Sequence, residues 1–273
     1  LMWQFRKWFS QRPAWVGRRR SMGLTFLILL GIWSVVGAWS WWARSSALSS
    51  NALLLDQLAA AVQSQTKGLF KQAELTLTVA RHWIEQHPDA DPAQSPDFIA
   101  LGDALRRESD GLLNLRVVTR SGVAHAITGT AKAMTVDVSD RDYFRVHLQG
   151  PPTGLYVGAP VVGRMTQRYL IPISVALPEA KGGLAALMVA MDLDAIAAPF
   201  EAERIKPGGT LGIVRDDGLV LLRSPSDGNF VGRSIASGQA WKQYMGAMVK
   251  GSYESTVSLF DQRPRLVSFA RVE

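Results

Sequence analysis

The hydrophobic pattern opens with one long apolar run near the N-terminus. Residues 22–42, MGLTFLILLGIWSVVGAWSWW, contain no charged side chain. At about 1.5 Å per helical residue, this run matches a hydrocarbon core about 30 Å thick. It predicts a transmembrane helix over 22–43, with tryptophans at its outer end as in an aromatic belt. A cleavable signal peptide is the alternative, because Val36, Gly37 and Ala38 satisfy a small-residue cleavage rule.

A period of seven residues follows the apolar run. Large apolar residues recur within 45–87, a stretch without proline, at Leu48, Leu55, Val62, Leu69 and Trp83. This pattern predicts one long stalk helix over 45–88. Its apolar seam has two open interpretations, which are packing on its own domain and pairing with a second copy in a homodimer.

Strand-like runs replace the helical period after a proline- and aspartate-rich break at 87–96. A first set lies within 97–194 and includes LLNLRVVT, YLIPISVAL and LAALMVAMDL. A second, smaller set lies within 195–273, with Asp216-Asp217-Gly218 as a hairpin turn and no exit helix, so we expect it to be incomplete. Helices followed by runs of strands predict an α+β fold with two antiparallel sheets.

The charge distribution places the basic excess at one end of the chain. The formal net charge is +7, yet seven basic residues and no acid lie within 1–44. The other 23 basic residues equal the 23 acidic ones, and a neutral remainder argues against nucleic-acid binding. Positive charge before an apolar helix predicts a cytoplasmic arm over 1–21. Residues after about 44 are then expected in the periplasm of a bacterium, anchored once in the inner membrane.

A polar motif, SDRDYFRVHLQG, occupies residues 139–150 within the first strand set. Arg141 offers a planar fork of donors that suits a carboxylate or phosphate. Tyr143 and Phe144 could form aromatic walls that exclude water. The motif therefore predicts a site for a small organic anion.

The structural interpretation of the same motif is a capped helix. Ser139 or Asp140 would cap it, Arg141 would pair with Asp142 or Asp192, and the aromatics would fill the core. We expect capping under either interpretation.

Other charged positions allow weaker inferences. Arg164 and Arg168 flank the turn 165–167 and form either a pocket rim or a solvated hairpin, and Arg164 joins the candidate binding residues. Asp194 is expected to cap the next helix, and His147 is expected to act as a cation near the end of the motif helix.

The chain lacks the usual sequence signatures of catalysis and metal binding. It contains no cysteine, no Gly-x-Ser-x-Gly elbow, no His-Glu-x-x-His and no phosphate-binding glycine loop. Its four histidines have no ligand spacing. We therefore expect neither catalysis, nor a metal, nor a cofactor in this chain.

Four stretches resemble one known family in their order along the chain. They are DVSDRDYF, GLYVGAPVVGRMTQRYLIPIS, GGLAALMVAMDLD and PGGTLGIVRDDGLVLLRSP. Over about residues 45–273 the chain resembles the double Cache sensor domains of bacterial transmembrane receptors. The resemblance implies a membrane-distal PAS-like subdomain over 97–194 and a membrane-proximal one over 195–273. The sequence of these stretches is most similar to that of the sensor halves of membrane-bound diguanylate cyclases, with hybrid histidine kinases second.

The resemblance also implies a set of binding residues. In relatives that bind amino acids, an arginine, two aromatics, a further tyrosine and a later aspartate hold the ligand's carboxylate and ammonium groups. The matching positions here are Arg141, Tyr143, Phe144, Tyr156 and Asp192. Two departures are the aromatic pair, with Tyr143 in place of tryptophan and Phe144 in place of tyrosine, and Gly158, where those relatives have a second acid. These two departures favour recognition of a carboxylate over recognition of an ammonium group. Val175 also stands where those relatives have an arginine.

The expected function is ligand sensing outside the cytoplasm. The chain would bind a small organic anion or an amino-acid-like ligand and control a cytoplasmic output, with cyclic-di-GMP synthesis favoured. The alternatives are the sensor region of a histidine kinase or chemoreceptor, and a ligand-free structural or protein-interaction module.

Overall fold

The computed structural model describes residues 14–129, 134–149, 154–177, 183–202, 208–225, 230–258 and 262–272. The chain divides into two compact units, Leu1–Leu55 and Asp56–Glu273. Most of the predicted basic arm over 1–21 lies outside the described residues.

One long helix, α1, spans Ala14–Gln86 and so contributes to both units. In the first unit, its large apolar side chains from Leu24 to Trp42 are exposed. By length and composition, α1 is the one helix of the described residues that could cross a membrane. The two helices predicted over 22–43 and 45–88 are thus parts of one element, which ends two residues earlier than expected.

The second unit is built on a seven-stranded antiparallel sheet. Its strands run in the order β3-β2-β1-β7-β6-β4, and β5 also pairs with β6. The strands are β1 Leu113–Thr119, β2 Val123–Ala126, β3 Thr135–Asp137, β4 Tyr156–Val157, β5 Val161–Val162, β6 Tyr169–Ala176 and β7 Leu184–Asp192. The helices beside it are α2 Pro96–Glu108, α3 Asp142–Arg145 and α4 Leu193–Ala202. The predicted α+β fold is confirmed.

The α1 side of the sheet forms the larger core. Ala73, Leu77 and Ala80 of α1 are buried in the same cluster as Leu115 and Val189 of the central strands. For this stretch of α1, packing on its own domain is the interpretation that the structure supports. The homodimer stays a prediction.

The second set of strands forms two hairpins in the described residues. The first pairs β8 Leu211–Val214 with β9 Val220–Ser224, and the second pairs β10 Lys250–Ser255 with β11 Arg265–Ala270. Between the two hairpins, Trp241–Met245 forms a π-helical turn. The subdomain boundaries at 97–194 and 195–273 stay predictions.

The turn between β1 and β2 fixes the start of the polar motif. Gly122 has a φ of 84°, and its carbonyl accepts the Val138 N–H at 2.7 Å. A Cβ at Gly122 would lie 2.6 Å from Ser139 Cβ and 2.8 Å from Ser139 Cα. This close approach leaves room for glycine alone.

We expect Gly122→Ala to destabilise the protein more than Gly111→Ala. Both glycines have positive φ, which costs an L-residue about 1–2 kcal/mol, but a Cβ at Gly111 would have no atom within 4 Å. Only Gly122→Ala must therefore also displace Ser139. Urea unfolding of the two variants measures the difference, and equal losses of unfolding free energy would contradict the close contact.

Candidate functional site

The site lies on the face of the sheet opposite α1. Because side chains alternate along a strand, Arg116 and Val118 of β1 point away from the Leu115 and Val117 side. Val118 packs with Met188 and Ala190 of β7, and Tyr143 and Phe144 of the motif are buried against the same cluster. The motif therefore covers this face, and the side chains between motif and sheet are shielded from water.

The start of α3 differs from the predicted cap. Arg141 occupies the N-cap position without a side-chain capping bond. The Ser139 N–H instead donates to Asp137 Oδ1 at 2.8 Å, and the Asp140 carboxylate accepts a hydrogen bond from Arg164. Capping by Ser139 or Asp140 was thus wrong, because both residues belong to the turn before the helix.

Asp142 organises the motif. Its Oδ1 accepts the Tyr143 N–H at 2.8 Å, and its Oδ2 accepts the Ala159 N–H at 3.1 Å and the Tyr156 hydroxyl at 3.3 Å. Burial raises the pKa of Tyr156, and the negative charge of the Asp142 carboxylate raises it further. With its oxygens used in this way, Asp142 does not pair with Arg141.

Arg141 and Arg164 approach the same carboxylate with different geometry. Arg164 Nη2 lies 2.7 Å from Asp140 Oδ2, whereas Arg141 Nε is 3.9 Å from Asp140 Oδ1. The hydrogen bond to Arg164 lowers the pKa of Asp140. Arg141 otherwise donates a long hydrogen bond, 3.4 Å, to the Val162 carbonyl. The Arg141 guanidinium is therefore only weakly bonded and remains available to a ligand.

A cavity of about 20 Å³ lies between the motif and the sheet. Its lining includes Arg116, Arg141, Tyr143 and Arg164, and the remainder is almost entirely apolar. This volume accommodates a single water molecule. None of the described residues that line the cavity is acidic.

Arg116 is a site residue that the sequence analysis missed. It lies within a buried strand, is only 7% exposed, and its Nε has no hydrogen-bond partner among the residues that the structure describes. Burial lowers the pKa of its guanidinium, which nevertheless stays charged near neutral pH. The signal that could have identified it is a lone basic residue at an inward position of LLNLRVVT.

Tyr143 marks the point where the three arginines converge. It is 4% exposed, and burial raises the pKa of its phenol. The charges of Arg116, Arg141 and Arg164 act on the phenol in the opposite direction. The structure thus brings together Arg141, Tyr143 and Arg164 of the predicted set and adds Arg116.

The other predicted residues lie apart from this cavity. Phe144 is buried in the core, and Tyr156 lines an open cleft of about 360 Å³ with Asp140 and Asp142. Asp192 Oδ2 accepts from Arg168 at 3.1 Å, while its Oδ1 accepts the Asp194 N–H at 2.9 Å. The carboxylate of Asp192 therefore caps the start of α4, and the cap predicted at Asp194 was wrong. The ligand roles of Phe144, Tyr156 and Asp192 stay predictions.

Gly158 has no room for an acidic side chain. A Cβ there would lie 2.8 Å from Pro172 Cγ and 3.0 Å from Tyr143 Cβ. Among the described residues, no group of three or more potential metal-ligating side chains occurs. The site therefore offers cationic and aromatic groups to a ligand.

His147 is buried, contrary to the prediction of a cation near the helix end. Its Nε2 lies 2.8 Å from Ser174 Oγ, which donates its proton to the Tyr143 carbonyl at 3.0 Å. Ser174 must then accept from Nε2–H, and the buried Nδ1 has no partner in the described part of the chain. Burial lowers the pKa of His147, so the neutral ring is the folded form.

We expect acidification to destabilise the protein through His147. Its folded pKa lies below the unfolded value of about 6.5, so the unfolded chain binds the proton first. The stability is present above about pH 6.5 and is lost as the pH falls through the folded pKa. Melting temperatures between pH 7.5 and 5.5 should fall less for His147→Gln than for wild type. His82→Gln, at an exposed position of α1, should follow wild type; identical slopes for all three proteins would refute the assignment.

Comparison with known proteins identifies the fold. No protein-family model matches the chain, and no curated protein matches its sequence. The extracellular domain of rpHK1S-Z16, described as a histidine kinase, has a TM-score of 0.68 at 20% identity, covering 83% of this chain and 91% of that chain. The sensory domain of the Campylobacter jejuni chemoreceptor Tlp3 (CcmL) with isoleucine bound gives a TM-score of 0.53 at 13% identity, with 84% and 91% covered.

A third solved structure has the same architecture. The ligand-binding domain of the Pseudomonas aeruginosa PAO1 amino acid chemoreceptor PctC, in complex with GABA, gives a TM-score of 0.53 at 18% identity, with 82% and 93% covered. At these identities the likeness concerns the fold. This chain therefore shares the fold of extracellular sensory domains found in chemoreceptors and in a protein described as a histidine kinase.

Proposed function

We propose that the chain is the extracytoplasmic sensory part of a bacterial inner-membrane receptor. It binds a small organic anion between the motif and the first sheet and controls a cytoplasmic output. The observation that carries this proposal is the weakly bonded guanidinium of Arg141, which lines a cavity together with Tyr143 and Arg164. The fold shared with sensory domains and the apolar part of α1 support the receptor assignment.

Ligand entry requires the cavity to widen, since it holds only about 20 Å³ in this structure. The Arg164–Asp140 ion pair closes one side, and its side chains are 41% and 51% exposed. An ion pair this exposed contributes about 0–1 kcal/mol. Separating this pair is therefore inexpensive, but opening must also break the hydrogen bond from Arg164 Nη1 to the Asp137 carbonyl. A ligand carboxylate replaces the contacts that Arg141 and Arg164 lose.

A polar path leads from the site towards the β8–β9 hairpin. Arg215 at the end of β8 donates to the Val157 carbonyl at 2.6 Å and is held by Asp217 through two hydrogen bonds. Val157 adjoins Tyr156, whose hydroxyl binds Asp142. Movement of the motif on ligand binding would be transmitted to the hairpin along this path, and the ligand's preference for one state would set the response.

Cyclic-di-GMP synthesis is the output that we propose, because the sequence of the stretches around the motif is similar to that of diguanylate cyclase sensors. The solved structures with this fold fit the sensor region of a histidine kinase or a chemoreceptor equally well. Cellular cyclic-di-GMP, measured on expression of the whole receptor with and without ligand, distinguishes these outputs.

A ligand-free structural or protein-interaction module is the second candidate. The small cavity and the ion pairs that engage Asp140 and Asp192 favour it. It predicts that no small anion stabilises the protein. Arg141→Ala would then lower the melting temperature and have no effect on ligand binding.

We expect Arg141→Ala to abolish stabilisation by ligand. The 273-residue chain in detergent micelles would be screened by thermal shift against carboxylates and amino acids. A bound ligand at 100 times its Kd stabilises wild type by about 2.7 kcal/mol. Arg120→Ala, which removes the same charge from an exposed turn, should retain the effect. Loss of ligand stabilisation in both variants, or no stabilisation of wild type by any compound, would reject the proposed site.

A further inference from the structure

Arg116 carries a charge that the described residues do not neutralise. The residue is 7% exposed, and within the described part of the chain its Nε has no hydrogen-bond partner and no acid forms an ion pair with it. An isolated buried charge is strongly unfavourable unless it is paired. Arg116 is therefore an unusual residue to retain inside an apolar strand unless an external anion completes it.

The neighbouring acids are already engaged. Asp140 pairs with Arg164, Asp142 accepts three hydrogen bonds, and Asp192 binds Arg168 and the start of α4. Asp137 accepts the Ser139 N–H. None of these four acids lines the cavity, whereas Arg116, Arg141 and Arg164 all do. The cavity thus has an excess of positive charge.

We propose that the site binds a short dicarboxylate, with one carboxylate on Arg141 and the other on Arg116. This inference rests on the proposed ligand-binding function and specifies the class of ligand. The apolar side chains of Val138 and Met188 in the lining match the methylene groups between the two carboxylates.

The lining distinguishes this class from its competitors. A zwitterionic amino acid needs an acceptor for its ammonium group, and no described lining residue is acidic. A tetrahedral oxyanion needs donors around four oxygens, whereas the walls between the arginines are apolar. A monocarboxylate would satisfy Arg141 and leave Arg116 unpaired. Among these ligands, only a dicarboxylate places one carboxylate against each of the two guanidinium groups.

The test is isothermal titration calorimetry of the 273-residue chain in detergent micelles. The probes are malonate, succinate, acetate, glycine and inorganic phosphate. Wild type should bind malonate or succinate at least about tenfold more tightly than acetate, because each charge-assisted contact supplies that factor. Arg116→Met should lose this preference, because its affinity for malonate and succinate falls further than its affinity for acetate.

Unfolding experiments separate recognition from a structural role. Without ligand, Arg116→Met should melt at a higher temperature than wild type, because it removes an unpaired buried charge and keeps an apolar stem. Arg116→Lys retains the charge without the planar fork and should bind dicarboxylates with intermediate affinity. Arg106→Met is the control, since Arg106 Nε is also buried without a partner among the described residues but does not line the cavity. Its ligand preference should equal that of wild type.

The possible failures are distinguishable. Tighter binding of glycine or phosphate than of dicarboxylates, lost in Arg141→Ala, would overturn the ligand class and leave the sensory function intact. Dicarboxylate preference unchanged in Arg116→Met, with a lower melting temperature, would make Arg116 a structural residue and overturn the inference. If wild type binds none of the five probes, and the wider screen also finds no ligand, both the inference and the proposed function fail.

Discussion

The central strands of the large sheet bury both of their faces. Leu115 and Val117 of β1 pack towards α1, whereas Val118 on the opposite face packs beneath the motif. In such a two-sided core, every charge that points inward needs a partner. The alternation of β1 places Arg116 on the motif side, and this placement gives the site its chemistry.

In the proposed function, the motif serves both architecture and binding, with different residues in each role. Its acids complete the fold: Asp142 joins α3 to Ala159 and Tyr156, and Asp140 fastens Arg164. Once these acids are engaged, Arg141 retains one long hydrogen bond and one distant carboxylate. The two interpretations of the motif are therefore compatible, because a rigid acidic framework leaves a cation available to a ligand.

Periodicity predicted the long helix and the main strands, since apolar spacing directly reflects which face is buried. Pairing of individual charges could not be predicted in the same way. Asp192 meets Arg168 because β6 and β7 pair with Leu170 opposite Asp192, a register that the local sequence does not reveal. Arg116 was missed because most residues of its strand are apolar and the strand was interpreted from them. The environment of His147 was mispredicted because α3 ends before this residue.

The site combines a rigid buried charge with weak exposed contacts. Arg116 is fixed by the core, and desolvation of its guanidinium occurs when the protein folds. The Arg164–Asp140 pair on the exposed side costs little to separate. In the proposed function, an entering anion would therefore meet a low barrier at the surface and its strongest interaction at the end of its path, where water is excluded. The difference in affinity for that anion between the two states would then set how far the receptor switches.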